Sequence, residues 1–304
     1  MNELWVKIQA KKQKLDRLLA NKSNWKVLTD WLKTELAYTS NAIEGNTLTR
    51  KETVLAIEEN ITSGSKPIKD YQEARNHSLA YEFMLDAIKR NLPIDEKLVL
   101  EIHKRVLSGL DNYNAGIYRN VRVRISGSAT VLPNPLKVPE LMMEFYKWLR
   151  TNKMDILHKA IEAHYRFVAI HPFVDGNGRT ARLLMDLMLM KGGYAPIIIR
   201  PIDRKRYLNA LEVYQRGDGE KYTRFMLAAL SRSLSVAIDL LSKDQADMKK
   251  LLTIAKFAQL TGLPVSTIRY WVSIGKLRPT NYTASGYMLF DAKQAYGLKN
   301  RPLI

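Results

Sequence analysis

Cysteine is absent from the 304 residues. That excludes disulfides, thiolate metal sites and a cysteine nucleophile, and it leaves the compartment unfixed. Long apolar runs are missing too. No stretch reads as long enough to span a membrane, and the residues from Met1 to Lys7 lack the apolar core of a signal peptide. The expectation is a cytoplasmic protein with no membrane partner. Strand-period alternation is scarce, which argues for a mainly α fold. Acidic residues are the minority charge, 30 Asp and Glu against 48 Lys and Arg, for a net charge of +18. This balance points to an acidic partner such as nucleic acid, although excess lysine also serves to solvate a surface. What remains is ordinary for a soluble globular chain long enough for two domains.

The richest stretch is His171-Pro172-Phe173-Val174-Asp175-Gly176-Asn177-Gly178-Arg179-Thr180-Ala181-Arg182. It runs into Leu183-Leu184-Met185-Asp186-Leu187-Met188-Leu189-Met190, apolar on nearly every side and expected to be a buried central helix. The two glycines therefore fall at a helix N-terminus, where unpaired N–H groups and the positive dipole end bind anions. Asn177 either orients this loop or adds a side-chain donor. Arg179 and Arg182 are one turn apart, so both guanidinium groups can face one anion. Asp175 offers one hard oxygen ligand, suited to a magnesium ion that takes its other ligands from phosphate and water. Pro172 ends the preceding helix and leaves His171 at its mouth, free to act as a general base near neutral pH. Together these groups describe phosphoryl or nucleotidyl transfer from a magnesium-bound nucleotide.

The stretch closely resembles the signature of the Fic family, His-Pro-Phe-x-(Asp/Glu)-Gly-Asn-Gly-Arg-x-x-Arg, and matches every specified position. The resemblance implies transfer of AMP from ATP to a side-chain hydroxyl of a target protein. It makes His171 the base, Asp175 the magnesium ligand, Gly176, Asn177 and Gly178 the phosphate cradle, and Arg179 and Arg182 the holders of the outer phosphates. The kinase-like Doc branch carries lysine where this chain has Gly176, so glycine favours nucleotidyl transfer. Upstream, Ser40-Asn41-Ala42-Ile43-Glu44-Gly45 puts Ser40 and Glu44 on one helical face. It resembles the family's inhibitory (Ser/Thr)-x-x-x-Glu-(Gly/Asn) motif. Tyr207 and Gln215 lie where family members place adenine-side residues, although asparagine is usual at the second place.

In chain order, helical periodicity is expected over 3–20, from Trp25 towards Ile43, from Arg50, over 70–90, from Asp95, over 138–151 and 155–170, and after the central helix over 203–215 and 220–241. His77, His103, His158 and His164 read as structural. Val121, Val123 and Ile125 alternate with Arg122 and Arg124 before a Ser-Gly-Ser turn, which predicts a β-hairpin over 118–135. It resembles the Fic flap, whose edge holds a target segment by main-chain pairing. Residues 242–250 look like a linker. Beyond it, residues 249–304 hold nine Lys and Arg against the single acid Asp291. Residues 252–260 and 264–274 read as two short helices around a glycine turn, and 282–290 as a hairpin wing. This resembles the winged helix-turn-helix of the MerR and excisionase type. Ser266, Thr267, Arg269 and Tyr270 would then face DNA from the second helix.

The expected architecture is a Fic-type helical bundle with a β-hairpin flap and a small C-terminal winged helix-turn-helix domain. The division is 1–110 for an N-terminal helical region with the inhibitory helix, 111–241 for the catalytic core, and 249–304 for the DNA-binding domain. The expected function is magnesium-dependent protein adenylyltransfer from ATP to a Ser, Thr or Tyr hydroxyl, held in check by Glu44 of the Ser40–Glu44 motif. Two alternatives stay open: removal of AMP from a modified target, and a DNA-binding regulator whose core senses nucleotide. The expected partners are a target protein and DNA. A homo-oligomer is left open.

Overall fold

The structure, a computed structural model, describes residues 2–59, 62, 66–125, 130–242, 251–282, 287–291 and 294–295. Helix α1 (Asn2–Leu19) leads to α2 (Lys22–Ile43), which starts where the Asn21 side chain accepts from Ser23 N–H. It ends at Glu44, and Gly45 turns the chain away with φ 99°, a left-handed value that costs glycine nothing. A Thr49–Glu52 capping box opens α3 (Arg50–Val54), which runs on as a π-helical turn, Leu55–Glu59. Then follow α4 (Ile68–Lys89), α5 (Glu96–Leu107, capped by Asp95), α6 (Val138–Thr151) and α7 (Ile156–Ile170). After them come α8 (Asn177–Lys191), α9 (Arg204–Gln215) and α10 (Glu220–Ser242).

Helix α8 is the axle. From Arg179 to Met190 every residue is buried, as expected for a helix apolar all round. It packs against α7, α4, α5 and α2, while α1 closes the far side by lying along α10. One hydrophobic cluster runs from Ile8 to Leu241 through all of these elements except the short α3. Helix α10 corrects the reading that no segment could span a membrane, being long and apolar enough by length and composition. It is a core helix all the same: Tyr222, Met226, Leu230 and Leu234 are buried against its neighbours.

A second, separate cluster holds Phe257, Ile268, Leu277, Phe290 and Ala295. It is built by β1 (Leu251–Thr253), α11 (Ile254–Thr261), α12 (Val265–Ser273), β2 (Asn281–Tyr282) and β3 (Met288–Asp291), with the antiparallel strand order β1-β3-β2. The wing predicted over 282–290 is therefore a strand pair, with residues 283–286 outside the described ones, as is most of the predicted linker, 243–250. Strand β1 is a correction, since the sequence reads as helix from residue 252. Leu251, Leu252 and Thr253 pair with Asp291, Phe290 and Leu289, a long-range match that no local period reveals.

The hairpin over 118–135 needs a correction as well. Residues 117–125 and 130–134 form no β ladder among the described residues, and 126–129 lie outside them. The physical cause is visible at both ends. Val121 and Val131 are exposed, and the carbonyls of Val121 and Pro133 are taken by the Arg119 guanidinium instead of a facing strand.

Candidate active site

His171 caps α7 in a left-handed conformation, φ 52° and ψ 61°, which a residue with a Cβ adopts only where its surroundings hold it. Its carbonyl accepts from Arg119 Nε at 2.7 Å, and the next carbonyl, of Pro172, accepts from Arg119 N–H at 2.9 Å. The imidazole Nδ1 lies 3.3 Å from the Val168 carbonyl, so a proton on Nδ1 leaves the Nε2 lone pair available. Burial pushes the ring's pKa below its ordinary value, the Val168 bond opposes this, and the Arg119 charge adds to it. His171 is therefore a neutral base at neutral pH.

The loop between α7 and α8 is braced from inside. Asn177 Oδ1 accepts from Phe173 N–H and its Nδ2 donates to Phe173 O, both at 2.9 Å, with Asn177 buried. Of the two roles open to this side chain, these bonds give it the loop-orienting one. Phe173 stacks on His103, centroids 3.5 Å apart and planes 3° from parallel. His103 accepts from Gly116 N–H on Nδ1 and donates from Nε2 to Asp175 O, each at 2.9 Å. Burial pushes its pKa down to about 4, so it stays neutral and serves as a spacer.

Gly176, at φ 76°, begins α8, and a Cβ there would lie 3.2 Å from the His103 ring. The Asp175 carboxylate accepts from Gly176 N–H at 2.6 Å and lies 3.1 Å from Arg179 Nη2. Partial burial disfavours its charged form, but Arg179 and the Gly176 N–H outweigh that and hold the carboxyl below the ordinary value.

The two arginines part company, which corrects the expectation that both face one anion. Arg179 is buried between carboxylates, Glu73 at 3.2 Å and Asp175 at 3.1 Å. A guanidinium taken out of water needs such partners, and α4 supplies one in Glu73. Arg182 instead reaches α2: Nε donates to Ser40 Oγ at 2.9 Å, and Nη2 donates to Ser40 O at 2.9 Å and to Glu44 Oε1 at 2.6 Å.

His171, Gly178, Arg182, Glu44, Tyr207 and Gln215 all line one cavity of about 500 Å³, a size that suits a nucleotide. Tyr207 and Tyr222 sandwich His164: the Tyr207 hydroxyl is 2.9 Å from Nε2 and that of Tyr222 is 2.7 Å from Nδ1. Tyr222 also donates to Ile161 O, so Nδ1–H donates to Tyr222 and Tyr207 donates to Nε2. That leaves the Tyr207 oxygen to accept from Arg182. Gln215 Oε1 accepts from Thr130 Oγ1, fastening α9 to the 130–134 arm. Arg204 also lines the cavity and donates to Ile43 O at 2.6 Å, the last carbonyl of α2. Nothing in the local pattern marks Arg119, Glu73 or Arg204, because each acts on segments far away in sequence. His77 and His158 are remote from this constellation in role: His77 is buried and His158 pairs with Asp155.

In the second cluster, Ser266, Arg269 and Tyr270 are exposed on α12 and Thr267 is half-buried. Arg269 Nη2 donates to Glu59 Oε1 at 2.7 Å.

Residues 93–189 match the Fic/DOC family, and residues 253–290 match the MerR family of regulatory proteins. The protein adenylyltransferase Fic of Drosophila virilis is 37% identical over 202 residues, and that of Drosophila melanogaster 36%. Those matches take in 66% of this chain and 41% of each fly protein, so the chain spans about two fifths of the length of these curated relatives. Among solved structures, a Fic domain containing signaling protein from Bacteroides thetaiotaomicron superposes with a TM-score of 0.71 at 28% identity, over 79% of this chain and 98% of that one. Fic-1 from C. elegans gives 0.67 at 28%, over 77% and 70%.

Proposed function

With residues 93–189 a Fic/DOC family domain, we propose that the chain is a protein adenylyltransferase that moves AMP from ATP to a hydroxyl of a target protein. The observation that carries this reading is the shared cavity: the base His171, the first turn of α8 at Gly178 and the cation Arg182 line one space. The hydroxyl proton passes to His171 Nε2. The oxygen bonds to the α-phosphorus, the bond from that phosphorus to the bridging oxygen breaks, and pyrophosphate leaves with the electron pair. The α8 N-terminus stabilises the charge that develops on the phosphate oxygens, and Arg182 holds the outer phosphates.

Asp175 fits a magnesium ion. Its carboxylate is held anionic and is more than half exposed, while no set of three metal-ligating side chains occurs among the described residues. An ion there takes its remaining ligands from phosphate and water, which is the habit of magnesium. When bound, it neutralises phosphate charge and assists departure of the pyrophosphate.

Glu44 restrains this reaction by taking the Arg182 fork that ATP needs, and Ser40 fixes the arginine's other edge. A second reading, removal of AMP from a modified target, is favoured by the same carboxylate: Glu44 lines the cavity beside His171 and could position a water. We further propose that residues 249–304 form a DNA-binding domain with α12 as its reading helix, on the MerR match and the basic excess there, and that the chain works in the cytoplasm. The test is incubation with lysate, magnesium and ATP labelled at the α-phosphate. Protein-bound label is expected, lost in His171→Ala and absent with a γ-label. No α-label transfer by either wild type or Glu44→Gly overturns the assignment, and γ-label transfer would make it a kinase.

A further inference from the structure

Arg119 is the least conventional residue of the molecule. It is 3% exposed, yet no carboxylate lies within ion-pair distance of it among the described residues. Carbonyl oxygens take the place of a counter-ion. Nε donates to His171 O at 2.7 Å, Nη1 to Val121 O at 3.2 Å and Nη2 to Pro133 O at 2.8 Å, and its backbone N–H donates to Pro172 O at 2.9 Å. Burying a cation is unfavourable unless its donors are satisfied, and here burial indeed works against the charge. A neutral side chain could fill the same volume without that cost. What the planar fork adds over a rotatable ammonium is three donors fixed in one plane, aimed at three separate carbonyls.

Those carbonyls belong to segments that are distant in sequence and make no ladder with one another. Val121 and Pro133 begin and end the two arms, which together line a groove of about 760 Å³ through Arg122, Val123, Arg124, Thr130, Val131 and Leu132. His171 O belongs to the residue held in the left-handed conformation, whose peptide plane sets where the imidazole points. With no strand pairing between the arms among the described residues, the guanidinium is a link that keeps them in register with the base.

We propose that Arg119 is a positioning residue that couples both arms of the 117–134 segment to the His171 backbone, so that a target segment seated on the arms and the imidazole that receives its proton are held as one unit. The proposal rests on the adenylyltransfer reading for its kinetic part and on hydrogen bonds alone for its structural part.

The test uses the full chain and the variant Arg119→Lys, which keeps the charge but replaces the planar fork with a single rotatable nitrogen that cannot span three carbonyls in fixed directions. The kinetic readout is transfer from α-labelled ATP to a lysate target or to the protein itself. The expected result is a fall in kcat of about ten- to a hundredfold, the cost of roughly 1 Å of misplacement, with affinity for ATP unchanged. A folded Arg119→Lys protein that transfers at the wild-type rate overturns the proposal. Hydrogen exchange, which needs no activity, separates this from failure of the functional reading. In the variant, exchange is expected to rise together at 119–125, at 130–134 and at 171–176, and to stay unchanged in α8 beyond Leu183. A rise confined to the arms makes Arg119 a staple of that segment only and also overturns it. Should the variant not fold, native-state exchange on the wild type decides: the arms and residues 171–173 are expected to open at one common free energy, and separate openings refute the coupling.

Discussion

The Glu44 carboxylate fills the space that a side chain on Gly178 would occupy: a Cβ built there falls 2.3 Å from Glu44 Oε1. The end of α2 and the first turn of α8 thus interlock, with Arg182 Nη2 closing the contact at 2.6 Å. This carboxylate lines the same cavity as the first turn of α8 and His171. Glycine at 178 is needed for that approach, since any Cβ would have to push Glu44 away.

Glu44→Gly is therefore expected to raise AMP transfer by about ten- to a thousandfold, equivalent to about 1.4–4 kcal/mol of barrier. Removing the carboxylate leaves the Ser40 bonds to Arg182 in place, so the freed Nη2 stays aimed into the cavity. On the proposed reading Arg182→Ala should not imitate the effect, because it would remove the phosphate ligand together with the partner of Glu44, and the double mutant should stay inactive. The measurement is the initial rate of self-modification for the four proteins. An unchanged rate in a folded, ATP-binding Glu44→Gly protein would leave Glu44 as a helix-end charge.

The second prediction concerns pH. His171 accepts a proton only when neutral, and burial lowers its pKa from the ordinary 6.5, with Arg119 adding to this while Glu44 and Asp175 oppose it. Transfer should therefore persist at pH 6.5 and be lost as pH falls through the depressed value. Removing one opposing carboxylate should move this acidic limb further down, so the profile of Glu44→Gly lies to the acid side of wild type. A limb at or above pH 6.5 in log kcat/KM would show that another group titrates.

The chemistry was legible in the sequence where it is local. His171, Asp175, Gly176, Gly178 and Arg182 lie within one short stretch, and Ser40 and Glu44 share one helical face, although only the resemblance to the Fic motif gives that second pair a role. What escaped notice depends on contacts across the chain. Arg179 looks like a twin of Arg182 until α4 brings Glu73 to it. The bond pair between Asn177 and the Phe173 backbone is equally invisible in the local pattern. The alternation from Val121 to Ile125 promises a ladder, and Arg119 takes the carbonyls instead. The helices were readable because burial on one face leaves a period, whereas β1 exists only through β3.

Asp186 carries the third prediction. It lies one turn beyond Arg182 on α8, fully enclosed, accepting from Ile197 N–H at 2.9 Å. Burial pushes its pKa up to about 8, so at neutral pH it is largely protonated and leaves the Arg182 charge to Glu44 or to phosphate. The unfolded value is near 3.9. The folded state therefore binds the extra proton between these values, and stability is full below about pH 4 and declines as pH rises towards 8. Asp186→Asn has no proton to lose. The two proteins should melt alike at pH 4 to 5, and the variant should melt several degrees higher by pH 8, at roughly 1 kcal/mol for each 2–4 °C. Parallel melting curves across that range would contradict the protonated state.

The last prediction concerns α12 and DNA. Ser266, Arg269 and Tyr270 stand exposed on this helix, in the region matched to the MerR family. If the helix reads a major groove, duplex DNA binding by the full chain should weaken with salt by about one log–log unit per phosphate contact. Arg269→Ala should cost about 1–3 kcal/mol of discrimination at one base position and leave the salt slope nearly unchanged. The ion pair of Arg269 with Glu59 adds a sharper expectation. DNA must draw the guanidinium away from that carboxylate before Arg269 can reach a base. An exposed pair of this kind is worth about 0–1 kcal/mol, so Glu59→Ala should strengthen specific binding by up to about fivefold. In the Arg269→Ala background the same change should do nothing beyond removing one negative charge from the surface. Mobility shifts with the two single mutants and the double mutant measure this coupling directly. Equal gains from Glu59→Ala in both backgrounds would show that Glu59 acts through long-range charge, and no shift by any protein at low salt would make α12 a protein-docking helix.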